Sequence, residues 1–109
     1  MHVKGRPQPS TTIGAVITDA TLTKAQARRL AIMAHDGLAR AVLPAHAPMD
    51  GDTIFAAATG ARPLGSPVAD LTELGHAATC AFARAVARGV FEATAFPGGI
   101  PSWRDRFGA

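Results

Sequence analysis

Residues 11–60 read TTIGAVITDATLTKAQARRLAIMAHDGLARAVLPAHAPMDGDTIFAAATG, and two hydrophobic periods alternate along them. Thr11–Thr18 is rich in β-branched residues and alternates with period two, with Ile13, Ala15 and Ile17 on one face and Gly14, Val16 and Thr18 on the other. This is the pattern of a strand buried on at least one side. Thr23 followed three residues later by Gln26 is a capping-box pattern, and Ala27, Leu30, Ala31, Ala34, Leu38, Ala41 and Val42 then recur at helical spacing. The spacing predicts a helix over 24–43, stopped by Pro44 and Pro48. The segment Pro44–Asp52 reads as a loop with Asp50-Gly51 as its turn, and Thr53–Thr59 as a second short strand.

Outward from this block, residues 1–10 (MHVKGRPQPS) lack periodicity and carry Gly5, Pro7 and Pro9, so they are expected to form an extended lead-in to an ordered part over 11–109. Ser66 and Pro67 mark a helix start, and an alanine-rich run continues to about Ala95 before Pro97-Gly98-Gly99 closes it. The tail from Ile100 to Ala109 is expected to lie across the surface. The order is β, α, β, α, without internal repeats. Two strands do not make an independent sheet of ordinary size, so they are expected to belong to a larger one.

The chain has 109 residues, which suits one domain with one core. Its apolar share of 48% is largely alanine, which buries little area per residue, so the core should be thin and its apolar faces completed by another chain or segment. Net charge is +3, from arginines scattered along helical stretches (Arg28, Arg29, Arg40, Arg84, Arg88) rather than clustered with aromatics, which argues against a nucleic-acid-binding module. The single Cys80 excludes an internal disulfide and sits where a free cysteine behaves as a small buried hydrophobe. The polar first residues form neither a signal-peptide apolar region nor a membrane span, and later apolar stretches are interrupted by Arg84 and Arg88. A cytoplasmic protein that does not bind membranes is expected.

Four histidines and eight acids invite triad and metal readings. His46, Asp50 and Asp52 share a loop, but it has neither the spaced ligands of a calcium loop nor the histidine pairs of zinc enzymes, so no metal and no cofactor is expected. No G-x-S-x-G elbow surrounds Ser10, Ser66 or Ser102. His35 reads as a helix-packing or helix-capping residue. Asp50 and Asp52 flanking Gly51 read equally well as a plain turn. Periodicity and composition alone reach an α/β piece and no further.

The residues supply a resemblance beyond that point. Thr11-Thr12-Ile13, Thr18-Asp19-Ala20, the AHDGLAR run from Ala34 to Arg40 and Asp50-Gly51-Asp52-Thr53 are similar to the smaller subunit of the DmpA-type L-aminopeptidase/D-esterase family and its nylon-oligomer hydrolase relatives. Pro101-Ser102-Trp103-Arg104-Asp105 also fits, so the resemblance covers nearly all of the chain after Ser10. It implies an αββα sandwich to which this chain gives two strands and two long helices. It also implies a precursor that cuts itself once, at Ser10-Thr11, so that Thr11 heads the smaller chain as nucleophile, with Asp50 and Asp52 orienting or polarising the threonine and its amine. His46 and His35 carry no such implication. Relatives often have asparagine or glycine where Ser10 stands. The resemblance further implies an α-chain partner that supplies oxyanion donors and most of the substrate pocket, assembly of several αβ units, and small peptides or amides as substrates. Without that partner the chain is expected to be inactive, and the rival expectation is a truncated remnant or binding piece of the same fold.

Overall fold

The computed structural model describes residues 10–108. The expected lead-in therefore lies, except for Ser10, outside the described residues. The elements are β1 (Ile13–Ala20), α1 (Lys24–Ala41), β2 (Thr53–Arg62), α2 (Pro67–Glu92) and a short α3 (Trp103–Phe107). The fold is mixed α/β. The strands pair in parallel, Ile13 with Thr53 through Thr18 with Ala58, with an irregularity before Ala20 meets Arg62. Parallel neighbours need a crossover, which α1 supplies.

Local chemistry sets the boundaries. Thr23 caps α1 by accepting from the Gln26 N–H while the Gln26 side chain accepts from the Thr23 N–H, the reciprocal pair expected from the sequence. The helix ends at Ala41, two residues before the expected Leu43, because a residue preceding proline is sterically driven out of the α region and Val42 has already turned extended (φ −127°, ψ 125°). Helix α2 closes at Glu92 rather than near Ala95. Its last carbonyl, that of Glu92, accepts a hydrogen bond from Arg104 of α3 at 3.3 Å. The tail expected to lie across the surface is thus partly helical. Ser102 and Asp105 form a second capping box, and the Trp103 ring packs tilted against Phe91 of α2, with centroids 5.8 Å apart.

The core is small. Leu30, Ala34 and Leu38 form one stripe of α1, and they meet Ile54 of β2 and Ala78 and Phe82 of α2. The Phe82 ring lies directly over Gly14, so the even-numbered face of β1 turns inward. Ile13 and Ile17 on the other face are 70% and 73% exposed, and Phe55 beside them on β2 is 61% exposed. That outer sheet face is apolar and open to solvent. Cys80, expected to be buried, is half-buried instead, with its sulfur 3.8 Å from both His76 Nε2 and an Arg40 guanidinium nitrogen.

The two long helices approach closely where Gly37 meets α2: a Cβ there would overlap the Thr79 carbonyl oxygen. Alanine in place of glycine would ordinarily favour a helix by about 1 kcal/mol, but a backbone oxygen cannot swing away, and overpacking costs roughly 1–3 kcal/mol. Gly37→Ala is therefore expected to lower the thermal denaturation midpoint. An unchanged or raised midpoint would mean that the helices can part freely.

Candidate active site

Thr11 stands two residues ahead of β1, which starts at Ile13, on the exposed rim of a cavity of about 140 Å³. Asp50 and Asp52 line the same cavity, and Leu38, Val42 and Pro44 form its apolar wall. The three residues singled out in the sequence are thus brought together although Thr11 is remote from the acids in the chain. The pairing of β1 with β2 does this, because the parallel register extends past β1 to an isolated bridge between Ser10 and Asp50.

The carboxylates hold the residues on either side of Thr11. Asp50 Oδ1 accepts from the Ser10 hydroxyl at 2.8 Å, and its Oδ2 accepts from the Ala47 N–H at 2.8 Å. Asp52 Oδ1 accepts from the Thr12 N–H at 2.9 Å, taking a rung that a regular ladder would give to the backbone. The expected turn at Asp50-Gly51 is not present. The turn falls two residues earlier, at Pro48-Met49, closed by the Asp50 N–H donating to the Ala47 carbonyl at 2.8 Å, with Pro48 pre-setting its backbone. Asp50 and Gly51 already belong to the strand pairing.

The Asp52 side chain is only 6% exposed. Burial by itself would raise its pKa, but the Thr12 N–H, the hydrogen bond from the His46 ring and the positive charge that ring can carry outweigh it, holding the carboxyl below its ordinary value. His46 Nδ1 lies 2.8 Å from Asp52 Oδ2, and His46 Nε2 lies 3.0 Å from His35 Nδ1. A carboxylate only accepts, so His46 Nδ1 carries the proton that it donates. His46 sits at φ 57°, a left-handed backbone unusual for a side-chain-bearing residue, which points its ring at Asp52.

Sequence reasoning gave His46 no role, and its contact depends on a backbone angle and a helix partner that no motif announces. A loop held between Pro44 and Pro48 was the available signal. His46→Ala would leave Asp52 with one donor fewer. The thermal denaturation midpoint at neutral pH should fall, with His46→Asn, which can still donate and tolerates the left-handed backbone, losing less; equal midpoints for all three would show that this contact adds nothing to the fold.

Among the described residues, no group of three or more His, Cys, Asp or Glu side chains could hold a metal ion. No described helix is long and apolar enough to cross a membrane. A larger hollow of about 690 Å³ runs along Lys24, Arg28 and Ile32 of α1, away from these groups.

Comparison with known proteins gives the arrangement a context. Residues 2–100 match peptidase family S58. The chain belongs to this family. S58 is the family of the DmpA-type hydrolases, and the match ends before the Pro101–Asp105 block. An uncharacterized aminopeptidase of Mycobacterium tuberculosis is 49% identical over 108 residues, covering 90% of this chain and 31% of its own length. One of Mycobacterium leprae is 46% identical over 108 residues, covering 90% of this chain and 30% of its own. A 6-aminohexanoate-oligomer endohydrolase of Paenarthrobacter ureafaciens is 36% identical over 50 residues, 46% of this chain and 14% of its own. The S58 chain thus spans about 31% of the length of the aminopeptidases it matches at 49% identity, as a partial piece of a larger enzyme would.

Proposed function

We propose that this chain is the nucleophile-bearing part of a self-processing aminopeptidase or amidase that hydrolyses amide bonds through Thr11. The observation that carries the reading is the bracketing of Thr11, with Asp50 holding the residue before it and Asp52 the residue after it.

A threonine hydroxyl is a weak nucleophile. In the precursor it attacks the Ser10 carbonyl carbon, and the resulting ester is opened by water. Thr11 then heads a chain, and its own α-amine, with a reference pKa of about 7.7–8.0, is close enough to take the hydroxyl proton as the hydroxyl attacks a substrate amide. An acyl-enzyme forms, the leaving amine departs protonated, and water releases the acid. Asp52 fixes the backbone that carries the nucleophile through the Thr12 N–H. Asp50 loses its Ser10 partner on cleavage, leaving an acceptor beside the new ammonium.

The rest of the enzyme packs, in this reading, on the open sheet face of Ile13, Ile17 and Phe55, which completes an αββα sandwich and brings oxyanion donors to Thr11. Substrates are small peptides or short amides, in keeping with relatives named aminopeptidase and 6-aminohexanoate-oligomer endohydrolase, and several αβ units assemble together. The test is the intact mass of the complete polypeptide, followed by assay on an aminoacyl nitroanilide. Fragments divided at Ser10-Thr11 with turnover support the reading. An undivided, inactive product would leave a binding piece that keeps the fold without the chemistry.

A further inference from the structure

We infer that the backbone N–H of Gly51 is a catalytic group of the self-cleavage step, holding the oxygen on which negative charge develops. The inference rests on the self-processing reading above. The Gly51 N–H donates to the Ser10 carbonyl oxygen at 2.8 Å. Ser10 contributes the acyl half of the bond to be cut, so this oxygen becomes the oxyanion when Thr11 Oγ1 adds to its carbon.

The donor is fixed before reaction begins. The contact is one rung of the Ser10–Asp50 bridge, and the same bridge lets the Ser10 N–H donate to the Met49 carbonyl at 3.3 Å. With the Ser10 hydroxyl held by Asp50 Oδ1 at 2.8 Å, the acyl residue is tied at three points. A donor that needs no reorganisation as charge appears is the arrangement that stabilises tetrahedral intermediates best.

The same residue also makes room for the nucleophile. A Cβ on Gly51 would lie 2.9 Å from Thr11 Oγ1, closer than ordinary van der Waals contact, so the hydroxyl borders the space that a side chain at residue 51 would need. Gly51 is not among the residues at positive φ. Its lack of a side chain serves space rather than backbone conformation. One glycine thus leaves room for the nucleophile and meets the electrophile with its N–H.

The chemistry balances without a co-reactant beyond water. Thr11 Oγ1 bonds to the Ser10 carbonyl carbon, the Ser10–Thr11 C–N bond breaks, and the hydroxyl proton ends on the freed Thr11 amine. Water then adds to the ester, its C–O bond breaks, and the products are the Ser10 carboxyl and the restored Thr11 hydroxyl. The oxyanion forms twice on the same oxygen, facing the same donor both times.

The test uses the complete polypeptide with residue 51 replaced by glycolic acid through cell-free suppression, which exchanges the N–H for an ester oxygen and leaves the shape intact. Cutting, followed by intact mass, is expected to slow by about 100-fold or more. The same replacement in a Thr11→Ala background should keep the folded circular dichroism spectrum, separating lost catalysis from lost fold. Gly51→Ala, which keeps the N–H but crowds Thr11 Oγ1, is expected to slow cutting by about tenfold or more; cutting at the unmodified rate would remove the space left at residue 51 from the account. Folded variants that cut at the unmodified rate overturn the role of Gly51 while self-processing stands. If the unmodified polypeptide is not cut at Ser10-Thr11, the self-processing reading falls instead.

Discussion

Thr11→Ala in the complete polypeptide is expected to stay a single uncut chain and to lose amide hydrolysis by a factor on the order of 10⁴–10⁶, the scale on which removal of a covalent nucleophile is felt. Thr11 is exposed and lies outside the buried core, so its hydroxyl and methyl contribute little to the fold. The thermal midpoint should therefore match that of uncut parent protein, the change in stability staying within about 0.5 kcal/mol. Thr11→Ser keeps a hydroxyl at the same bond and should retain part of both activities. Cutting and hydrolysis measured on the three proteins separate a chemical loss from a structural one; retained hydrolysis by the alanine variant would take Thr11 out of the mechanism.

Asp52→Asn is the second large effect, and it comes from charge rather than shape. An asparagine oxygen can still accept from the Thr12 N–H. Its amide can donate to His46 Nδ1 if the ring moves its proton to Nε2, which then donates to His35 Nδ1. The network survives with its tautomers reversed, but the negative charge held beside the Thr12 N–H is gone. Both cutting and turnover should fall by on the order of 100-fold or more. Stability should also change with pH. The folded-state carboxyl is held below its ordinary value, so its contribution is fully present above the unfolded value of about 3.9 and is lost as pH falls through the folded one. Melts in a Thr11→Ala background should therefore show parent protein ahead of Asp52→Asn near neutrality, with the gap closing below about pH 4. A gap that persists unchanged at pH 3 would show that the carboxylate is not the origin of the difference.

What the sequence made legible was local. The period-two run before Thr18, the Thr23–Gln26 box and the proline stops placed β1, α1 and β2 to within a few residues, since each depends on neighbours in the chain. The alternation of β1 showed two faces but not which one is covered, because Phe82, far along α2, makes that choice. The helical turn at Trp103 went unrecognised although Ser102 and Asp105 carry the spacing of a cap. At the site, the grouping of Thr11, Asp50 and Asp52 came from family resemblance; no periodicity predicts a parallel register forty residues apart. Gly51 and His46 were hidden for a further reason. One meets Ser10 through its backbone N–H, the other reaches Asp52 from a left-handed φ, and residue type encodes neither contact.

The bridge between Ser10 and Asp50 also bears on quality control. Under the self-processing proposed above, the bond to be broken is aligned only after β2 has been made and laid beside β1 in the correct register. A slip of one residue would exchange the Gly51 N–H for a neighbour and aim Thr11 elsewhere. Under the same proposal, scission is a covalent record of correct pairing, written once per molecule. In a population of these polypeptides, the uncut fraction on a denaturing gel would count those that never reached native register, without any assay of activity.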